Sequence, residues 1–394
     1  MFLPFLQKKT PLQAGKLQEK NFSFTTPFTL KGGLLFIDVQ IDERTYKFLF
    51  DTGAMSVIPT SLVHKLQLSP LKESICTVDA DGVEKHSLLY TLPALHFGEL
   101  TFTNFTTVAD DFSEHFPLCC FHFHGIFGYN FLQNLTLKID YEKKLLTLTD
   151  RAINTTSYIK TPLRFTKNGV AEFAFSIAKK KLWVALDTGK NDGIMTGEKK
   201  FKELFTKEAY KQQRTTGLIS SSFHGLNEHS FVETYLLKDF SIANKISIDS
   251  FPCSYEKNSL NSVGNEFLRN FHIVVEFKKK YLHLKPLHKE PIKEVFTNPF
   301  GFSMFWNEEQ KLYIASITQD TPAYNSKLKI GDKIMSINDF DTLNLEKEEY
   351  CHYAFFYEHT MFYKREAKSL DIILKREGRL IRETLTLEQT SPSL

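Results

Sequence analysis

The sequence predicts a mainly β fold made of two similar lobes followed by a third, unrelated domain. Three observations carry that prediction. The stretch "KFLFDTGAMSVIP" (Lys47–Pro59) is echoed by "KLWVALDTGKNDGIM" (Lys181–Met195), with the Asp-Thr-Gly triplets 136 positions apart. A second pair of blocks, "GYNFLQNLTLKIDYEKKLLTL" (Gly128–Leu148) and "GNEFLRNFHIVVEFKKKYLHL" (Gly264–Leu284), recurs at the same offset. Beyond about residue 288 neither pattern returns.

Two distant blocks that share one offset indicate an internal duplication. Gly128/Gly264, Phe131/Phe267, Leu132/Leu268, Asn134/Asn270, Lys143/Lys279 and Leu148/Leu284 are identical pairs. The expected division is an N-terminal segment 1–20, lobe one 21–150, lobe two 151–287, a linker 288–298 and a third domain 299–390.

Within lobe one, "LLFIDVQI", "TYKFLFD", "SLLYTLPAL", "LTLKID" and "LLTLTD" are short runs rich in β-branched and aromatic residues, which read as strands. Asp81-Gly82 is a two-residue hairpin signal. "IPTSLVHKLQL" reads as a short helix, and "GEKKFKELFTKEAYKQQ" as its longer counterpart in lobe two. "KPLHKEPIKEVFTNP", with its prolines and charges, reads as a linker.

Composition narrows the function classes. A chain of 394 residues suits two or three domains, and a 42% apolar share lets each build a core. A net charge of +3 with short, scattered lysine runs (Lys179–Lys181, Lys199–Lys200, Lys278–Lys280) lacks the concentrated basic patch of a nucleic-acid surface. No apolar run reaches the ~18 residues that span a bilayer. In "MFLPFLQKKTPLQAGK" the charges follow the apolar patch, unlike a secretory signal. The expectation is a cytoplasmic protein, or one of the envelope or periplasm if a leader is missing. Cys76, Cys119, Cys120, Cys253 and Cys351 are odd in number and irregular in spacing, which predicts a fold independent of disulfides.

The doubled triplet calls for a paired use. A pseudo-twofold axis between duplicate lobes would bring Asp51 and Asp187 together. Two adjacent carboxylates share one proton and titrate as a pair. The ionised member takes a proton from a bridging water, while the protonated one hydrogen-bonds a carbonyl oxygen as charge develops on it. Gly53 and Gly189 would permit close approach, and Thr52 and Thr188 would reach backbone groups across the axis.

These residues resemble a known family. Phe50-Asp51-Thr52-Gly53-Ala54 with Ile126-Phe127-Gly128, and Ala185-Leu186-Asp187-Thr188-Gly189 with Val263-Gly264, resemble retropepsin-type aspartic proteases over residues 30 to 287. The resemblance implies two closed β-barrel lobes, a cleft with one catalytic aspartate from each, and a flap hairpin with its tip at Asp81 and Gly82. The segment "TTGLISSSFHGLNEHS" would be a second flap. Lobe two departs from the family pattern at Lys190, where a small residue is usual, and at Ser262, where an apolar one is usual. Lys190 either stabilises the ionised pair or, as its long stem favours, carries its ammonium to solvent.

The third domain resembles a PDZ domain. Phe300-Gly301-Phe302 fits that family's carboxylate-binding loop, and "TPAYNSKLKIGDKIMSIND" fits its central signature, with Lys327 and Asp339 in place of two glycines. The family binds peptide ends by strand addition. "EEYCHYAFFYEHTMFYKRE" reads as a packed helix or a docking surface.

The combination looks like bacterial aspartyl protease-like proteins. The expected activity is that of a monomeric aspartic endopeptidase acting on peptides or proteins, with no metal and no cofactor. The alternative is a non-catalytic peptide-binding scaffold with a degenerate second lobe. His115, Cys119, Cys120, His122 and His124 are zinc-ligand types, but alternation in "CFHFHG" instead suggests a strand with one buried face.

Overall fold

A computed structural model describes residues 15–78, 82, 84–111, 115–218, 220–222, 225–227, 230–290, 292–293, 299–309, 311–338, 340–356 and 367–387. Asp81 lies outside these residues, as does Asp339. The protein is mainly β, as the sequence predicts.

Each lobe opens with the same hairpin. Leu34–Ile41 pairs with Arg44–Phe50 in lobe one, and Ala171–Ile177 pairs with Lys180–Leu186 in lobe two. Both turns hold two successive residues at positive φ, Asp42 and Glu43 in one and Ala178 and Lys179 in the other. Such turns match strand twist but ordinarily recruit Asn or Gly. Neither residue type is present, so strand pairing imposes the turn.

The second strand of each hairpin then runs beside a short segment from late in its lobe. Arg44–Phe50 lies parallel to Gly125–Phe127, and Lys180–Leu186 lies parallel to Ser262–Val263. Val57–Ile58 and Ile194–Thr196 flank those segments antiparallel. Asp51 N donates to Phe127 O at 3.0 Å and Asp187 N donates to Val263 O at 3.1 Å. Each triplet therefore begins where a buried strand is fixed on its late partner. The buried Phe48, Phe50 and Phe127 anchor this crossing in lobe one, and Leu182, Val184, Leu186 and Val263 anchor it in lobe two.

The lobes join through a shared sheet of six strands, in the order Ile159–Pro162, Tyr281–Pro286, Phe271–Glu276, Thr136–Asp140, Leu145–Thr149, Ser23–Pro27. At its centre Thr136–Asp140 runs antiparallel to Phe271–Glu276, with Lys138 opposite Val274. Those two positions share the offset of the duplication, so the pseudo-twofold axis passes between them. Leu137, Ile139, Ile273 and Val275 are fully buried there, and one apolar core runs through both lobes.

Lys16–Leu17, in the N-terminal segment, pairs with Leu100–Ala109, and Ile292–Lys293, in the linker, pairs with Ile246–Tyr255. Three expectations need correction. The helix of lobe two spans Lys199–Glu208 only, because Ala209–Gly217 is claimed by strand partners on both sides. Tertiary pairing overrides the helix propensity of its Lys and Gln residues. Leu118–Phe121 is a 3-10 turn and not a strand, although burial does alternate from Phe121 to Gly125. Finally, Cys120 and Cys351 form a disulfide, whose 231-residue separation hides it from any reading of spacing.

The third domain has its own core around Phe300, Phe302, Trp306, Ile314, Ile334 and Leu374. It is joined to both lobes. Its strand Lys311–Thr318 extends the lobe-two sheet by pairing with Ala209–Gly217, where Thr215, Thr216 and Gly217 face Thr318, Ile317 and Ser316. From lobe one, the Phe116 ring packs against Phe305, Trp306 and Tyr350 at centroid distances of 4.9, 5.6 and 5.7 Å. The disulfide then ties the turn after Phe116 to helix Lys347–Phe356.

Candidate active site

The two triplets meet on the pseudo-twofold axis. Thr52 Oγ1 donates to Leu186 O at 2.5 Å and accepts from Thr188 N at 3.1 Å. Reciprocally, Thr188 Oγ1 donates to Phe50 O at 2.8 Å and accepts from Thr52 N at 3.1 Å. Both threonines are fully buried, so each of these backbone groups would otherwise be orphaned away from water. The four bonds fix the relative position of the two strand ends.

That lock sets the carboxylates side by side. Asp51 Oδ1 accepts from Gly53 N at 2.8 Å and from Ala54 N at 2.9 Å. Asp187 Oδ1 accepts from Gly189 N at 3.0 Å. Each carboxyl also lies against the glycine of the opposite triplet, Asp187 over Gly53 and Asp51 over Gly189. A Cβ on Gly53 would stand 2.6 Å from Asp187 Cγ, and one on Gly189 would collide with the Asp51 carboxyl. Only glycine leaves room for the opposite acid.

Burial raises the pKa of Asp51, against the pull of the Gly53 and Ala54 amides. Burial also pushes Asp187 well above the ordinary carboxylate range, and the neighbouring Asp51 charge adds to the rise. A pair of this kind keeps one proton to a higher pH than isolated carboxyls would. Chemically it can act as base and acid at once toward a molecule held between its oxygens.

Lys190 departs from the favoured expectation. Its ammonium does not reach out to solvent: the side chain is only 14% exposed, with Nζ donating to Ser262 Oγ at 3.1 Å and lying 3.3 Å from Asp192 Oδ2. The two residues that break the family pattern in lobe two are therefore bonded to each other. Sequence reasoning noted both but did not join them, and it missed Asp192.

The flap region of lobe one is a hairpin, Pro70–Val78 with Glu84–Phe97, closing at the pair Val78 and Glu84. Gly82 approaches the Asn258 carbonyl of lobe two. In lobe two, Ala209–Gly217 and Ser230–Ile242 form the matching hairpin. Its outer strand is bonded into the third domain, where Leu218 N donates to Ala315 O at 2.9 Å and Gln319 N donates to Arg214 O at 2.7 Å. In the third domain, Phe300, Gly301 and Phe302 are buried, and Gly301 O accepts from Thr318 N at 2.7 Å.

The His/Cys cluster does not converge. Cys120 is in the disulfide, and His124 Nδ1 faces Lys47 N at 3.3 Å. Among the described residues, one trio has ligand atoms close enough for a metal ion, namely Asp140, Glu142 and His272. The histidine ring there already faces both carboxylates, at 3.6 Å each. Among the described residues no helix is long and apolar enough to cross a membrane.

Comparison with known families agrees with this geometry. An aspartyl protease family model matches residues 37–131, and a PDZ domain model matches residues 292–351. The chain carries an aspartyl protease domain and a PDZ domain. The protease match lies inside lobe one and takes in Asp51, while lobe two rests on the duplication. No curated protein matches the sequence. Among solved structures, basic 7S globulin from soybean is similar over 67% of this chain and 94% of its own, at 12% identity and a TM-score of 0.39.

Proposed function

We propose that the protein is an aspartic endopeptidase in which Asp51 and Asp187 activate a water against a peptide carbonyl. The observation that carries this reading is the reciprocal threonine lock, which sets two buried carboxyls each against the glycine of the opposite triplet. The ionised carboxylate takes a proton from water as the oxygen attacks the carbonyl carbon. The protonated carboxyl donates toward the developing oxyanion, and the proton then passes to the leaving amine. Thr52 and Thr188 brace the pair, and Gly53 and Gly189 admit it. Both acids come from one chain, so the active unit is a monomer. The hairpin with Asp81 and Gly82 at its turn is the substrate flap.

The scaffold alternative calls for acids too far apart to share a water, and the packing of each acid against the other triplet's glycine argues against it. The PDZ domain serves to capture peptide ends at Phe300, Gly301 and Phe302. Digestion of a peptide library across pH, read by mass spectrometry, tests both parts when each peptide is supplied with a free and an amidated C-terminus. Cleavage lost in Asp51→Asn and preferred for free ends is expected. No cleavage at any pH overturns the peptidase reading, and equal cutting of both forms overturns the capture role.

A further inference from the structure

The loop after Asp187 holds a cation where lobe one has none. Lys190 occupies the position that matches Ala54, Ser262 the position that matches Ile126, and Asp192 the position that matches Ser56. A lysine stem at a nearly closed site costs desolvation of its ammonium unless partners are supplied. Here they are supplied: the hydroxyl of Ser262 at 3.1 Å and the carboxylate of Asp192 at 3.3 Å. The backbone of the loop is also fixed, since Asn265 N donates to Lys190 O at 2.8 Å and Glu266 N to Asp192 O at 3.2 Å. The cation is built in.

A second asymmetry shows what it is for. Asp51 Oδ1 takes two amides, from Gly53 and Ala54, but Asp187 Oδ1 takes one, from Gly189. Among the described residues no bond from the Lys190 amide reaches Asp187. Lobe two thus lacks one of the two dipoles that stabilise the anion in lobe one. Lys190 is near enough for its charge to pull the Asp187 carboxyl back down.

We infer that Lys190 is a positioning residue for the dyad: Asp192 and Ser262, which pairs with Ala185 on the strand leading into Asp187, hold its ammonium at that strand end, where it does by charge what the Ala54 amide does for Asp51 by hydrogen bonding. This inference rests on the peptidase reading. Among the described residues, the charged groups that act on the pair from this loop are Lys190 and Asp192, and Glu266 on the following turn has its Oε2 toward Gly193. In lobe one Tyr129, whose backbone amide bonds Ala54 O, carries a phenol that burial pushes up to about 12. Ala54, Ser56 and Asn130 add no charge there.

The sign follows from electrostatics. A cation favours the singly ionised pair over the neutral one, and the doubly ionised pair over the singly ionised one. Both limbs of a bell-shaped pH profile therefore lie lower with Lys190 than without it. Removing it raises both limbs by on the order of one pH unit. Asp192 opposes the cation, so removing Asp192 moves both limbs the other way.

The experiment measures kcat/KM against pH for the full chain and for Lys190→Met, Lys190→Arg, Asp192→Asn and Ser262→Val. The expected result is an upward shift for Lys190→Met, a smaller upward shift for Ser262→Val, a downward shift for Asp192→Asn, and a near-normal profile for Lys190→Arg. A role confined to folding would lower activity without moving both limbs upward in Lys190→Met and both downward in Asp192→Asn. In parallel, the carboxyl carbons of ¹³C-labelled aspartate are titrated by NMR in the same proteins. If no peptide is cut, the peptidase reading fails, but the NMR titration still reads the pair. A Lys190→Met protein whose aspartate titration overlays that of the parent overturns the inference.

Discussion

The loops that follow the two aspartates have the same backbone and opposite chemistry. In lobe one, Tyr129 N donates to Ala54 O at 2.9 Å, and in lobe two Asn265 N donates to Lys190 O at 2.8 Å. Around that conserved bond, lobe one uses neutral groups. Asn130 Oδ1 accepts from both Ser56 N and Ser56 Oγ, its amide donates to Thr106 O, and Ser56 Oγ accepts from Gly128 N. Lobe two puts Asp192 and Glu266 at the matching positions, and Gly264 N turns to the Gly193 carbonyl. The duplication has kept what sets the strand ends and released what surrounds them. Geometry is held by paired backbone and the two threonines, so side chains one layer out were free to become charged.

The largest test of that division replaces each acid. Asp51→Asn and Asp187→Asn should each lower hydrolysis by about 10³-fold or more, and the double variant should be little worse, because residues that work as a unit fail together. Substantial activity in Asp187→Asn alone would mean that lobe two has left catalysis. Steady-state kinetics on one cleaved peptide decides it.

Next in size are the glycines. Gly53→Ala and Gly189→Ala each drive a methyl into the opposite carboxyl, and should cost on the order of 10²-fold in kcat with the fold retained. Equal losses, with unchanged circular dichroism, would show that both halves are held to the same tolerance. A silent Gly189→Ala would break the symmetry.

The threonines test the lock through stability. Thr52→Val and Thr188→Val each remove a hydroxyl that satisfies one buried carbonyl and one buried amide, so each should destabilise the protein by about 2–4 kcal/mol in urea unfolding. A double variant less destabilised than the sum is expected, because each side chain bonds the backbone amide of the other threonine. Losses below the scatter of the measurement would mean that the interlobe sheet, and not the threonines, sets the approach.

The smallest effect concerns pH. Asp51 and Asp187 are raised above their unfolded values, so the folded protein binds more protons through the window from the ordinary carboxylate range up to the raised values. Unfolding free energy therefore falls as pH rises through that window. Asn at either site removes the ionisation and should stabilise the protein near neutral pH. Thermal unfolding from pH 4 to 8 would show it, and an unchanged slope would refute it.

How much of this was readable in the sequence depends on the range of the interactions. The duplication, the two acid-bearing strands and the PDZ signature were legible because each is written in a local run. The meeting of Asp51 and Asp187 was inferred from symmetry, which sequence carries as a repeated offset. The bond from Lys190 to Ser262 was half legible: both residues stood out as exceptions, but 72 positions separate them and no local pattern ties one to the other. The docking of Phe116 on the PDZ domain, and the strand pairing of that domain with lobe two, were not legible at all. They depend on how finished domains sit together, which hydrophobic period and turn chemistry do not encode.

The Cys120–Cys351 bond turns a linear molecule into a covalent ring. It links lobe one to the last domain, so the backbone of lobe two lies inside the loop it closes. A single proteolytic cut anywhere in that loop would leave the pieces joined. Closing a loop of that length restrains the unfolded chain by about 5 kcal/mol on the chain-entropy account. In an oxidising compartment the protein would be nicked without coming apart, and in a reducing one the same nick would leave the pieces held only by their strand pairing and packing.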